Sequence, residues 1–153
     1  MIRVCLCVFI ALTIQCVFSR CDLGWSEYRG FCYSFSAPAD TLPWLLASSS
    51  CLLYNARLVQ VDSEEKNNWV VSQMVERLID DVWIGGSCRY HSATWEWVPS
   101  LQLMKGFSNW YTGQPGNPHG EQCLHIYKAY QYKWDDAACT GARRYICEKR
   151  AYK

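Results

Sequence analysis

The sequence predicts an α+β fold from two observations. Apolar residues recur at three- and four-residue spacing only in the first half, around Trp44 to Tyr54 and Val70 to Leu78; from Val82 onward, short strand-like runs alternate with long polar loops. Helices first and an aromatic-rich antiparallel region last is the pattern of an α+β domain. No linker, repeat or low-complexity run divides the chain, so residues 20–153 read as one domain around one core.

Residues 1–19 precede that domain. Arg3, an apolar stretch from Val4 to Leu12 and the ending Val17-Phe18-Ser19 predict a secretory signal peptide, too short and wrongly flanked for a membrane anchor. The expected location is therefore secreted and extracellular, with no membrane insertion. Cys5, Cys7 and Cys16 would leave with the leader, so seven of the ten cysteines remain, in surroundings where disulfides are the default.

Cys21 to Phe35 reads as strand, turn, strand, with Trp25, Tyr28, Tyr33 and Phe35 around Gly30. Pro43 in a first turn starts a helix from about Pro43 to Asn55, with Cys51 on its buried face. Leu58, Val59 and Val61 form a brief strand. Asp62 and Glu65 then stand as a capping box for a second helix to about Leu78. Its apolar face is Val70, Val71, Met74, Val75 and Leu78, and its wet face includes Lys66, Asn67, Asn68 and Glu76. Strands follow at Trp83-Ile84-Gly85-Gly86, Trp95 to Val98, Cys123 to Tyr127 and Arg144 to Cys147.

Between Pro99 and Gln122 the periodicity fails, and a loop that long in a compact domain is more often functional than idle. Gln114, Glu121, Asp135 and Asp136, the last two next to Trp134, concentrate oxygen-bearing side chains on what read as two neighbouring loops. The chemistry they point to is binding. Arg3 is the only charged residue before Arg20, so the chain beyond it has no formal net charge. That disfavours nucleic acid or another polyanion as a partner. No nucleophile elbow, zinc-protease motif or phosphate-cradling loop occurs, which argues against an enzyme. His91, His119 and His125 lack a tetrahedral zinc spacing with Glu121.

The chain resembles the C-type lectin domain family. The matches are Gly24-Trp25, Gly30 and Cys32-Tyr33 at the opening of the long form; Cys51; Trp83-Ile84-Gly85; Trp95-Glu96-Trp97; Asn109-Trp110; Gly113-Gln114-Pro115; Glu121-Gln122-Cys123; Trp134-Asp135-Asp136 before Cys139; and Tyr145-Ile146-Cys147-Glu148. In this order and spacing they are specific. The resemblance implies a double-loop fold with two helices, antiparallel strands and three intradomain disulfides, Cys21 to Cys32, Cys51 to Cys147 and Cys123 to Cys139.

It also implies calcium as cofactor, held by Gln114, Glu121, Asp135 and Asp136. Carbohydrate would be bound by the same four residues with Asn117 and His119. Its expected partners are glycans on cell or microbial surfaces. Gln114 and Pro115 lean toward the galactose or lactose type. Two departures bear on the site: Gly116 stands where the triplet has its third oxygen ligand, and Asp135 where the family has asparagine. Calcium needs six to eight oxygens, and an ionised aspartate accepts hydrogen bonds but cannot donate them as an amide does. Glu121, Asp135 and Asp136 still supply three carboxylates, and Asn117 or water can cover the gap at Gly116, so the expectation is a calcium site that is either kept in weakened form or lost. Cys88, the seventh cysteine, suggests an exposed thiol and a disulfide-linked homodimer. The alternative function is a non-sugar binding protein on the same fold, of protein-binding venom type or ice-binding antifreeze type.

Overall fold

The computed structural model describes residues 5–10, 13–18, 20–89, 94–117 and 119–153; Ser19, His91 and Pro118 lie outside the described residues. The first strands, β1 (Cys5–Ile10) and β2 (Thr13–Phe18), pair antiparallel as a sheet of their own, with Cys5 opposite Phe18. The other strands among the described residues form one sheet. They are β3 (Ser26–Tyr28), β4 (Phe31–Phe35), β5 (Arg57–Leu58), β6 (Asp81–Ser87), β7 (Glu96–Trp97), β8 (Gln102–Leu103), β9 (Cys123–Tyr127), β10 (Lys133–Ala137) and β11 (Arg144–Arg150). The main path runs β10-β9-β6-β11-β4-β3, with β5 on β11, β7 on β6 and β8 on β7. Among the described strands β6 and β11 pair in parallel and the other pairs are antiparallel, with an isolated parallel bridge between Trp110 and Trp134.

β6 is the centre of the sheet and is buried from Val82 to Ser87. Its two glycines are required by close approach. A Cβ on Gly85 would stand 2.9 Å from the Leu58 carbonyl oxygen, and one on Gly86 would stand 2.5 Å from a methyl of Leu124. Two apolar clusters lie on the sheet. One gathers Val59, Val70, Met74, Ile84, Trp97, Leu124, Trp134 and Ile146; the other holds Trp44, Ala47, Cys51, Leu58, Trp83 and Tyr145. Trp83 thus belongs to the second cluster and donates its indole N–H to the carbonyls of Leu42 and Gly141, while Trp95 and Trp110 pack half-buried against the first.

The first helix, α1, spans Trp44–Leu52 and buries Trp44, Ala47 and Cys51. The second, α2, spans Glu64–Glu76, and two details differ from the sequence reading. Its N-cap is Ser63, whose hydroxyl accepts the Lys66 amide at 3.3 Å. Asp62 instead pairs with Lys66, and Glu65 pairs with Arg29. The cap sits one residue later because a serine hydroxyl can reach the N3 amide directly. The buried face is Asn67, Val70 and Met74, while Leu78 is 86% exposed. Asn67 goes inward because the core offers it hydrogen-bond partners, which a polar side chain needs when it leaves water.

The three disulfides pair Cys21 with Cys32, Cys51 with Cys147 and Cys123 with Cys139. The second bridge spans 96 residues and ties α1 to β11. In the chain-entropy account a loop of about that length constrains the unfolded chain by roughly 4.7 kcal/mol. Cys88 joins none of these bridges and is fully buried, against the expectation of an exposed thiol. It follows β6, and its amide donates to the Gln122 carbonyl at 3.1 Å. An interchain bridge through it requires this junction to open.

Candidate functional site

Trp134, Asp135 and Asp136 lie on a strand, not on a loop. Successive side chains on a strand point to opposite faces, and β10 separates its neighbours accordingly. Trp134 enters the core, edge-on to Trp97, Phe107 and Trp110. Asp136 is 2% exposed and faces the long loop. Asp135 turns to the other side, opposite His125 in the register of β9.

The long loop is sewn to the free edge of β10. Trp134 donates its amide to the Asn109 carbonyl, and its own carbonyl accepts the Tyr111 amide, both at 2.8 Å. Asn67 of α2 fixes the same point from beneath: its side-chain oxygen accepts the Trp134 indole N–H at 3.2 Å and the Asn109 amide at 3.4 Å. From Tyr111 the chain turns back through Gln114 to a cis Gln114-Pro115 bond. The next two backbone amides then point at Asp136, Gly116 donating to Oδ1 at 2.9 Å and Asn117 to Oδ2 at 3.0 Å. Asn117 closes the following turn, its carbonyl accepting the amides of Gly120 and Glu121 and its side-chain oxygen that of Gly120. Gln114, Asn117, Glu121 and Asp136 are thereby brought into one neighbourhood, with His119 exposed at the turn.

Asp135 is bonded away from this group, although its charge still reaches Glu121. Its Oδ2 contacts His125 Nε2 at 3.1 Å; His125 Nδ1 contacts Asp81 at 2.6 Å; and Asp81 is ion-paired to Arg143 at 2.7 Å. The imidazole is 2% exposed, beneath Trp83. This row holds β10, β9 and β6 together and contains no nucleophile, so it reads as a structural network. Burial raises the Asp135 pKa above the ordinary carboxylate value, opposed by its contact with His125. Glu121 is also raised, first by burial and then by the charges of Asp136 and Asp135.

These positions decide how well a cation fits. Asp136 already uses both oxygens on backbone donors, Asp135 gives Oδ2 to His125 while its buried Oδ1 has no hydrogen-bond partner, and Gly116 presents an N–H where a ligand oxygen is needed. Among the described residues, no group of three or more His, Cys, Asp or Glu side chains is arranged to hold a metal ion. Calcium would require Asp136 to release the Gly116 and Asn117 amides and Asp135 to turn from His125 before the four-residue set could hold it. Asn67 was missed as the anchor of the long loop, and Asp81, His125 and Arg143 as the network that draws Asp135 aside. A two-residue alternation through Lys133-Trp134-Asp135 was the available signal, masked by the adjacent acids. Of the aromatic rings near the loop, Tyr111 lies parallel to Tyr130 at 4.2 Å and Tyr132 packs against the core, so neither presents a free face there.

The family model for the lectin C-type domain matches residues 40–149. Perlucin-like protein of Mytilus galloprovincialis is 33% identical over 131 residues, covering 84% of this chain and 82% of the relative. Asialoglycoprotein receptor 1 of Mus musculus is 33% identical over 139 residues, covering 87% of this chain but 46% of the receptor, so the chain spans less than half of that longer protein. Among solved structures, the mouse scavenger receptor C-type lectin carbohydrate-recognition domain superposes with a TM-score of 0.78 at 28% identity, over 87% of this chain and 98% of that one. Sequence, disulfide pairing and fold agree, and the chain belongs to the C-type lectin domain family.

Proposed function

We propose that this chain is a secreted carbohydrate-binding protein whose long-loop site reads sugar hydroxyls without depending on calcium. The observation that carries the reading is the clamp of Asp136 on the amides of Gly116 and Asn117. It ties the Gln114 to Asn117 turn to β10 by hydrogen bonds of the chain itself. The turn presents the Gln114 amide, the His119 ring and the Glu121 carboxylate, which together donate and accept hydrogen bonds. A domain of this family is a binding module, not an enzyme.

The Gln114-Pro115 pair and the relative named for asialoglycoproteins support a lean toward galactose- or lactose-type glycans on cell or microbial surfaces. Removal of residues 1–19 as a signal peptide accounts for secretion. No helix among the described residues is long and apolar enough to cross a membrane.

A glycan array run with calcium and with chelator tests the reading. Retained galactoside binding in chelator is expected. Binding to no sugar in either condition removes the lectin reading, and binding lost on chelation removes its metal-free part.

A further inference from the structure

Asn67 is a buried side chain with one hydrogen-bonding group left over. It is 5% exposed, and its Oδ1 accepts both the Trp134 indole N–H and the Asn109 amide. An indole nitrogen only donates, so the bond to Trp134 fixes which end of the Asn67 carboxamide is oxygen and turns its Nδ2 the other way. Among the described residues that nitrogen has no hydrogen-bond partner. A buried donor without an acceptor is costly, and Asn67 lines a cavity with room for one.

The cavity, about 230 Å³, lies between the first two turns of α2, the Phe107 to Asn109 stretch of the long loop and the turn that enters β10. Asp136 stands three residues beyond the Lys133 that borders it, about 10 Å along the strand. Gln114, Asn117 and Glu121 are not among its lining residues, so the cavity is separate from the long-loop site.

Its chemistry is that of a hydroxyl reader. Asn109 spends its amide on Asn67 and keeps its oxygen, so the floor sets a donor beside an acceptor. A hydroxyl group needs both, because it donates and accepts. The exposed carboxamides of Asn68 and Gln131 repeat that pairing at the rim. Glu64 and Lys133 bring one charge of each sign, which favours a neutral ligand. Val71 and Phe107, half-buried, add apolar surface for the C–H groups that lie between the hydroxyls of a sugar ring. The volume falls below the roughly 300–1,000 Å³ of pockets for drug-sized molecules and suits a single pyranose residue.

We infer that this cavity is a second saccharide site, taking one neutral pyranose residue through Asn67, Asn109, Asn68 and Gln131. It shares a ligand class with the long-loop site but none of its residues, so either can bind without the other.

A magnetic-resonance titration of the isotope-labelled, disulfide-bonded chain with methyl β-galactoside and, separately, methyl α-mannoside tests this. The side-chain amide signals of Asn67, Asn68 and Gln131 should move together, with one dissociation constant, for at least one of the two sugars. Asn68→Ala, at an exposed position of α2, should melt as wild type and weaken that binding by about two- to tenfold, the loss of one hydrogen bond. Val71→Phe fills the cavity and should abolish it, leaving the response of Gln114 and Asn117, whatever its size, as in wild type. If Gln114 and Asn117 respond while the three cavity amides stay still, the inference is overturned and the long-loop reading stands. If the cavity amides alone respond, the inference holds and the long-loop reading falls. Amides that move with neither sugar show that water satisfies Asn67, and overturn the inference. A response to N-acetylglycine methylamide at lower concentration than to either sugar assigns the cavity to peptide and overturns it equally. Wild-type affinity in either variant overturns it too.

Discussion

The backbone amide of Gly116 donates to Asp136 Oδ1 at 2.9 Å, so the residue that stands at the triplet's third position meets Asp136 through its backbone. A Cβ there would stand 2.7 Å from the Gln114 side-chain oxygen. The missing side chain thus leaves room for Gln114 to fold over the turn.

Asp136→Ala should destabilise the protein in the presence of chelator. It leaves the Gly116 and Asn117 amides without their acceptor beside a buried site, at a cost of about 1–3 kcal/mol. Thermal melting measures the loss, and hydrogen exchange at residues 116 and 117 should speed up. A variant as stable as wild type in chelator removes the clamp from the account.

Calcium itself should change stability little. A ligand present at 100 times its dissociation constant raises native stability by about 2.7 kcal/mol. Melting curves in millimolar calcium and in chelator should therefore coincide; a large upward shift with calcium shows that the acidic side chains rearrange around an ion.

Glu121→Gln should stabilise the protein at neutral pH. Burial and the charges of Asp136 and Asp135 raise the Glu121 pKa in the fold, so the native state binds this proton more tightly than the unfolded chain does. The resulting stability is fully present below the unfolded value, near pH 4, and is lost as pH rises through the folded one. Glutamine, uncharged throughout, avoids that loss. Melting temperatures should differ at pH 7 and converge under acid conditions; an equal difference at both pH values contradicts the electrostatic cause.

Asn67→Ala should lower stability by about 1–3 kcal/mol, because the buried Trp134 indole N–H loses its acceptor. Val75→Ala, on the half-exposed side of the same helix, should cost less than half as much. Sugar affinity should fall in the Asn67 variant alone, since Asn67 also holds the root of the long loop through Asn109.

In a chain starting at Arg20, a thiol reagent should find Cys88 unreactive until the protein is denatured, because the side chain is fully buried. Fast labelling of the native protein would show that the β6 junction opens readily.

Much of the fold was legible in the residues themselves. Trp44, Cys51, Val70 and Met74 mark buried helix faces by their spacing, and the Cys123 to Tyr127 strand was read with the bounds observed. The cysteine pairing came from family resemblance and is the pairing observed. The site was legible as a list of residues but not as an arrangement. Asp135 and Asp136 are neighbours in sequence, yet only the formation of β10 sends one to His125 and the other to Gly116.

The sequence by itself determined the α+β class and the family motifs, and marked the long loop as the candidate site, because periodicity, turn residues and cysteine spacing are local properties of the chain. Tertiary structure alone decided that Asn67 and Cys88 are buried and that Asp136 clamps backbone amides. Each of these depends on which distant donor, acceptor or apolar surface lies opposite a side chain, and sheet register and chain crossing set that opposition, not neighbours along the sequence.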